Sequence, residues 1–534
     1  METRARIILT RHAHWFVLVL SAAAILWIIP RLGPHHDENF FLKPVFFPQW
    51  SSSFIAVAGH KIPLMLISYT GAPKAWLYHA IFGFVPPNLW SLRLPMLAFA
   101  VWAILLVRSG FQRLGLPLAG NLMTIVLAGS PLVMLTSVFD WGPVCLQFLF
   151  LALCFHCWSR ALAQTSGRWL TFSLFFAGLG VWEKMTFAIC FGPIVALMFV
   201  EALRCLPREK RVPAALLAIL AFVAGAGPML YATFSATLQP VKALLTWEGS
   251  APVYAHKLRM LGRAIVGSSL VGYLTSPDFY WPRIGNPVLK EFSRALAVLF
   301  STAYEARSLV AGIILAGLGV PGPTRRFRSL LLAGLLLSWL TMASFRNLGG
   351  AAQHTVLLLP VLFVILSLSV DDAWRLGRPW RIAAAALAAT IVFLNTASFL
   401  DYLLRFQYLP VPRVWSPAIL TAARYVVKHP PQSIYADDWG LENAVVLLSA
   451  GKIVPYAAAP DRASGARNMA DPAARFIGFA PGKQSFPDGP KVLGELAAEL
   501  RLKRCVDISF TDSTGEPLVE IYRYAPIGVA CPIL

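Results

Sequence analysis

The sequence predicts a polytopic α-helical membrane protein that ends in a small extracytoplasmic α/β domain. Three observations predict it. The 534 residues are 57% hydrophobic and only 13% charged, and their mean hydropathy of +0.63 lies far above that of a soluble domain. Apolar runs long enough to cross a hydrocarbon core of about 30 Å recur through the first three quarters of the chain. The basic residues, which give a formal charge of +20, fall in the short gaps between those runs. They do not interleave with aromatics on a soluble module, so the charge speaks for topology and against nucleic acid.

The first run, Trp15 to Ile29, follows a basic start and is itself followed by Pro30, Arg31 and Pro34 in place of a small-residue cleavage site. It reads as an uncleaved anchor with a cytoplasmic basic end. Six basic clusters then vote on topology: Arg4, Arg6 and Arg11; Arg108 and Arg113; Arg160 and Arg168; Arg204, Arg208, Lys210 and Arg211; Arg325, Arg326 and Arg328; Arg375, Arg378 and Arg381. If all six face the cytoplasmic side of the cytoplasmic (inner) membrane, each interval between them holds an even number of crossings. The runs 114–159, 169–203 and 329–370 break at "FDWGP", "WEKM" and "FRNLGG", and so hold two crossings each. With spans near 89–107, 213–235, 305–322 and 381–400, the expected total is about eleven, and the C-terminus lies outside.

Two long outer loops are expected, about 33–88 and 237–304. In the first, "FIAVAGHKIPLMLISYTG" and "APKAWLYHAIFGFV" read as amphipathic helices lying in the interface, broken by Pro63 and Pro73. The second carries Lys242, His256, Lys257, Arg259, Arg263, Arg283, Lys290 and Arg294, suited either to anionic headgroups or to a lipid-linked phosphate. The membrane module is expected to end at residue 405. From 406 to 534, "SIYADDWG" and "KIVPYA" read as strands, "LENAVVLLSAG" and "KVLGELAAELRLKR" as helices, and "VDISFTDSTGEPLVEIYRYA" as a hairpin. No phosphate loop, nucleotide fingerprint or HExxH motif occurs there. Cys145, Cys154, Cys157, Cys190 and Cys205 lie in or beside apolar runs and read as small hydrophobes. Cys505 and Cys531 can pair if the tail faces an oxidising compartment.

The parity of crossings puts Asp37 and Glu38, Asp140, Glu183 with Lys184, and Arg346 on one extracytoplasmic rim. Polar groups at the end of an apolar bundle are costly unless they face water or substrate, so a site is expected there. Asp37 has a plainer reading as the cap of a short helix.

"HDENFF", "YTGAPKAWLYHAIFGFVPPNLWSLRLP", "FDWGP", "GLGVWEKMTF" and "QHTVLLLP" occur in this order, and together they resemble the C-type glycosyltransferases. The likeness is to bacterial members similar to dolichyl-phosphate-mannose protein mannosyltransferases and lipid A aminoarabinose transferase, and it extends to about residue 370. It implies a polyprenyl-phosphate sugar donor and transfer, with inversion at the anomeric carbon, to an extracytoplasmic glycolipid, lipopolysaccharide, glycan or protein. It also implies that Asp37 is the base, with Glu38 and Asp140 as supporting carboxylates. The donor-phosphate lysine is Lys74 or its rival Lys61, and Lys184, Glu183, Arg346 and His354 complete the substrate contacts. No cofactor is required, although a divalent metal joining Asp37 and Asp140 stays open. The chemistry suits these residue types: the phosphate leaves without acid help, so one base plus cations suffices. A lipid-sugar flippase or a non-catalytic assembly protein is the alternative, but paired half-repeats are not visible.

Reporter fusions after residues 110, 165, 208, 326 and 378 are expected to read cytoplasm, and fusions at 50, 140 and 420 the outside. An outside signal at 208 would break the parity and with it the shared rim.

Overall fold

The computed structural model describes residues 2–235, 242, 246–303, 306–486 and 488–531. Among the described residues eight helices are long and apolar enough to cross a membrane, or nine if a bent pair is one span. The expected spans at 169–183 and 305–322 correspond to helices Gly167–Glu183 and Arg307–Gly319, of 17 and 13 residues, short for a full crossing, and residues 304 and 305 lie outside the described set. The expected count of about eleven is therefore not reached by length and apolarity alone.

The bent pair is Pro117–Gly129 with Pro131–Val138, turned by 65°. Pro131 cannot donate back into the first helix, and Ser130 Oγ accepts from Val133 N to start the second. The second half delivers the chain to Asp140.

Without a hydrophobic force between helices in lipid, spans associate by close packing of small residues. Helices Gly167–Glu183 and Arg208–Ser235 meet backbone to backbone: a Cβ on Gly178 would lie 2.3 Å from the Phe222 carbonyl oxygen, and one on Gly225 2.5 Å from that of Phe175. At the start of helix Arg325–Ser344 the buried Arg328 pairs with Asp372 at 2.9 Å and donates to the carbonyls of Ala316 and Gly317, closing the turn before that helix.

The first outer loop differs from expectation in its first half. Residues 53–71 form an antiparallel sheet of β1 (Ser53–Val57), β2 (His60–Ile67) and β3 (Thr70–Gly71). The cause is the turn: Ala58 and Gly59 both adopt positive φ, +49° and +81°, as a two-residue hairpin connection requires. Pro63 sits inside β2, and Pro73 opens helix Pro73–Phe82, as expected for the second half. The sheet is stitched to the membrane module, since Trp182 Nε1 donates to Leu64 O at 2.8 Å and Met185 N to Tyr69 O at 3.0 Å.

In the second outer loop, Lys257 is not a surface charge. It is buried and donates to the carbonyls of Met342, Ala343 and Phe345, capping the C-terminal end of helix Arg325–Ser344. Residues 236–241 and 243–245, at the start of that loop, lie outside the described residues.

The last span runs on to Tyr408, a little beyond the expected boundary. Beyond it stands a five-stranded sheet in the order β5-β4-β6-β8-β7, with β4 (Ser433–Ala436), β5 (Tyr456–Ala457), β6 (Ala474–Phe479), β7 (Leu502–Thr511) and β8 (Pro517–Pro526). The parallel neighbours β5, β4 and β6 alternate with helices, whereas β7 and β8 form the expected hairpin. The central strand β6, "ARFIGF", and helices Pro417–Lys428 and Arg462–Ala470 were not expected.

Cys505 on β7 and Cys531 beyond β8 form a disulfide. Replacing both by serine should lower the unfolding temperature of the C-terminal domain, with about 3 kcal/mol lost in the chain-entropy account of a loop of this size. Differential scanning fluorimetry with and without reductant measures it.

Candidate active site

The first span ends at Ile28, a tight turn follows, and residues His36–Asn39 make one helical turn just beyond that end of the span. His35 starts that turn: its Nδ1 accepts from Asp37 N at 3.2 Å, and its own N–H donates to Glu38 Oε2 at 3.4 Å. The cap is therefore His35, and Asp37 is not needed for it. Burial pushes the His35 imidazole down to about 3, with His36 and Arg93 adding to the shift, so the ring is neutral, as its acceptor role requires.

Glu38 points away from the rim. Arg93 grips it with Nε on Oε1 at 2.6 Å and Nη2 on Oε2 at 2.8 Å, and spends its other N–H groups on the carbonyls of Ile29, Leu32 and Gly33. Both side chains are buried. Arg93 is a residue that sequence reasoning passed over, although an arginine four positions into an apolar span was the available signal.

Asp140 and Lys74 form a second buried pair, 2.7 Å apart. Asp140 holds a positive φ of +40°, and its Oδ1 accepts from Val144 N and Cys145 N at 2.8 Å each, capping helix Cys145–Gln164. Lys74 also donates to Glu38 O at 3.3 Å and lies 4.4 Å from the Phe41 ring. Glu183 is buried beside this pair at the end of its helix.

The space these pairs leave is a cavity of about 480 Å³ lined by His36, Asp37, Tyr69, Thr70, Lys184 and His354 among others, with Gly142, Asn347 and Gln353 also in its wall. Gly142 has φ +77°, and a Cβ there would lie 2.9 Å from Gln353 Cγ, so the wall closes only over glycine. The backbone of Lys184 is extended and bridges to Thr70 of β3, while its Nζ donates to Gly142 O at 2.7 Å.

Asp37 is the carboxylate that faces this space. No hydrogen bond from a described residue reaches its oxygens. Burial raises its pKa above the ordinary aspartate value, against the opposing pull of Lys184 and Lys74. Lys184 is shifted down by burial, with Asp37 and Asp140 acting against that shift.

The structure thus brings Asp37, Lys184 and His354 to one cavity, and sets Glu38, Asp140, Lys74 and Glu183 behind it. Arg346 is exposed and does not line it, and Lys61 belongs to a separate cavity between the β1–β2 hairpin and helix Pro73–Phe82. His36, Tyr69, Thr70, Asn347 and Gln353 are lining residues that sequence reasoning missed. A metal shared by Asp37 and Asp140 does not fit this arrangement. The Asp140 carboxylate is already committed to two backbone donors and Lys74, and among the described residues no three His, Cys, Asp or Glu side chains converge.

Replacing Glu38 by Gln should leave the Arg93 charge buried without its partner and cost roughly 3–5 kcal/mol. The expected outcome is a clear drop in unfolding temperature in detergent, where Asp37→Asn leaves the melt nearly unchanged.

Residues 73–231 match the family described as dolichyl-phosphate-mannose-protein mannosyltransferase. No curated protein matches the chain in sequence. Among solved structures, ArnT from Cupriavidus metallidurans, crystallised with undecaprenyl phosphate, superposes with a TM-score of 0.57 at 10% identity, covering 97% of this chain and 98% of that one. The chain thus shares its overall fold with ArnT, and over residues 73–231 it matches the mannosyltransferase family in sequence.

Proposed function

We propose that the protein transfers a sugar from a polyprenyl-phosphate donor to a hydroxyl of an extracytoplasmic acceptor, with inversion at the anomeric carbon. One observation carries the reading: Asp37, whose oxygens accept no hydrogen bond from a described residue, lines the same cavity as a lysine, Lys184, while Glu38 is bound to Arg93, Asp140 to Lys74 and a helix start, and Glu183 is buried and does not line the cavity. The family match over residues 73–231 and the undecaprenyl phosphate held by the structurally similar ArnT support the donor class.

In this reaction the acceptor oxygen forms a bond to the anomeric carbon as the bond from that carbon to the phosphate oxygen breaks. Asp37 takes the acceptor's proton. The electron pair leaves with the polyprenyl phosphate, whose charge Lys184 meets in a site shielded from bulk water. Lys184 replaces Lys74 as the phosphate contact, because the Lys74 charge is already matched by Asp140. His354 and Gln353, which line the same cavity, are available to hydrogen-bond the sugar.

Asp37→Asn is expected to lower sugar transfer by roughly 10²- to 10⁴-fold at matched expression, the usual worth of a general base. The assay is glycoconjugate product formed by membranes carrying each variant, and near wild-type turnover would remove the base assignment. The pH dependence follows from the raised pKa of Asp37. The active, deprotonated form is lost as pH falls through that value, so the acid limb of kcat/KM should lie above the ordinary aspartate range of about 3.9. A limb at the ordinary value would count against Asp37 as the titrating base.

A further inference from the structure

The residue just before Asp37 belongs as much to the C-terminal domain as to the membrane module. His36 lines the cavity, yet its ring lies 4.0 Å from that of Trp439, and its Nδ1 is 3.0 Å from the amide nitrogen of Asn443. The amide nitrogen donates, so Nδ1 accepts and the ring's proton stays on Nε2. Glu442 reaches the same side, 3.9 Å from His36, and ties Lys43 at 3.3 Å. His35 is held from above as well: its ring stacks on Trp415 at 4.3 Å and meets the edge of Trp439 at 5.6 Å.

The domain's side of this contact is firmly built. The Asp438 carboxylate accepts from the backbone N–H of Trp439, Ser485 and Phe486, and Phe486 packs against Trp439 with ring centres 5.2 Å apart. Gly440, at φ +89°, is pressed so closely on the turn that a Cβ there would lie 2.8 Å from His36 Cβ. Beneath, Val446 and Leu447 of helix Leu441–Leu448 share an apolar core with Phe41, Leu42 and Val45.

A single helical turn such as His36–Asn39 is far too short to hold its own shape. Its capping box fixes one side, and the opposite side rests on the C-terminal domain. We propose that this domain is a positioning element for the cavity, in which Trp439 and Asn443 hold His36 and thereby fix the direction in which Asp37 enters it. The proposal deepens the function above and rests on Asp37 as base. Trp439 and Asn443 do not line the cavity, so they act through His36. A reacting group misplaced by about 1 Å can cost about 10²-fold in rate, which is the scale of effect available to them.

The test uses the full chain in detergent micelles and a readout besides turnover. A hydrophobic carbodiimide modifies carboxyl groups in their protonated form, so the extent of Asp37 labelling against pH, read by peptide mass, reports how buried and fixed the side chain is. Lys184, Lys74, Tyr69 and Tyr273, the charged and titratable groups that face Asp37, are unchanged in all variants. Asn443→Ala and Trp439→Ala are expected to move the labelling midpoint towards the ordinary aspartate value and to lower transfer at least tenfold. Trp439→Phe should restore much of both. Arg462→Ala, which removes exposed pairs with Glu495 and Glu499, should change neither. An unmoved midpoint with wild-type transfer in folded Asn443→Ala and Trp439→Ala protein overturns the proposal. If Trp439→Ala fails to fold, Asn443→Ala decides alone, because it removes one hydrogen bond and no ring packing. A midpoint that moves in protein that never transfers sugar upholds the positioning role and rejects the glycosyltransferase reading.

Discussion

The outer rim depends on one buried ion pair, Glu38 with Arg93. All five guanidinium N–H groups are used: two on the Glu38 carboxylate and three on the carbonyls of Ile29, Leu32 and Gly33. Those carbonyls are the orphaned acceptors at the end of the first span and in the turn after it, and their residues are buried. One side chain from the second span therefore closes the first span, fixes the turn beyond it and neutralises the acid on that turn. Asp37 is the next residue back along the same turn. The turn that carries it is thus held on one side by bonds that Asp37 does not make.

The remaining charges sort themselves by the same economy. A buried charge is tolerated when it is paired and hydrogen-bonded, and Lys74 with Asp140 meets that condition at the start of helix Cys145–Gln164. What is left facing the cavity is Asp37 and Lys184, one acid and one base separated by space in place of a hydrogen bond. Two groups of opposite charge that are kept apart in a cleft remain available to a third party. Groups that are already joined do not.

Much of this was legible in the residues. Apolar run lengths located most of the long helices, and Asp37 and Lys184, expected on one side, line one cavity with Asp140 behind it. The division of labour among them was not legible, because it depends on which partner each charge meets across the fold. Lys74 and Lys61 look equivalent on paper, yet one is buried against Asp140 and the other stands on a hairpin above the Phe54 ring. The hairpin itself was hidden because "FIAVAGHKIPLMLISYTG" has an apolar content that suits either period, and only the positive φ of Ala58 and Gly59 decides for strands. In the C-terminal domain, β6 was missed because "ARFIGF" is short and buried on both faces in the middle of the sheet, without the alternation that marks a half-exposed strand.

The backbone contact between helices Gly167–Glu183 and Arg208–Ser235 has a bearing on how this sequence can drift. At Gly178 and Gly225 even a methyl group would overlap a carbonyl of the facing helix, and neither position is near the cavity. On the lipid side of the same second helix, Leu216, Leu217 and Leu220 are more than half exposed and touch nothing that needs their shape. Among functional variants these two glycines should be frozen, and the leucines a turn or two away should exchange freely with any residue that lipid accepts. Invariance along this helix would mark how close two backbones come, and would say nothing of what the cavity holds.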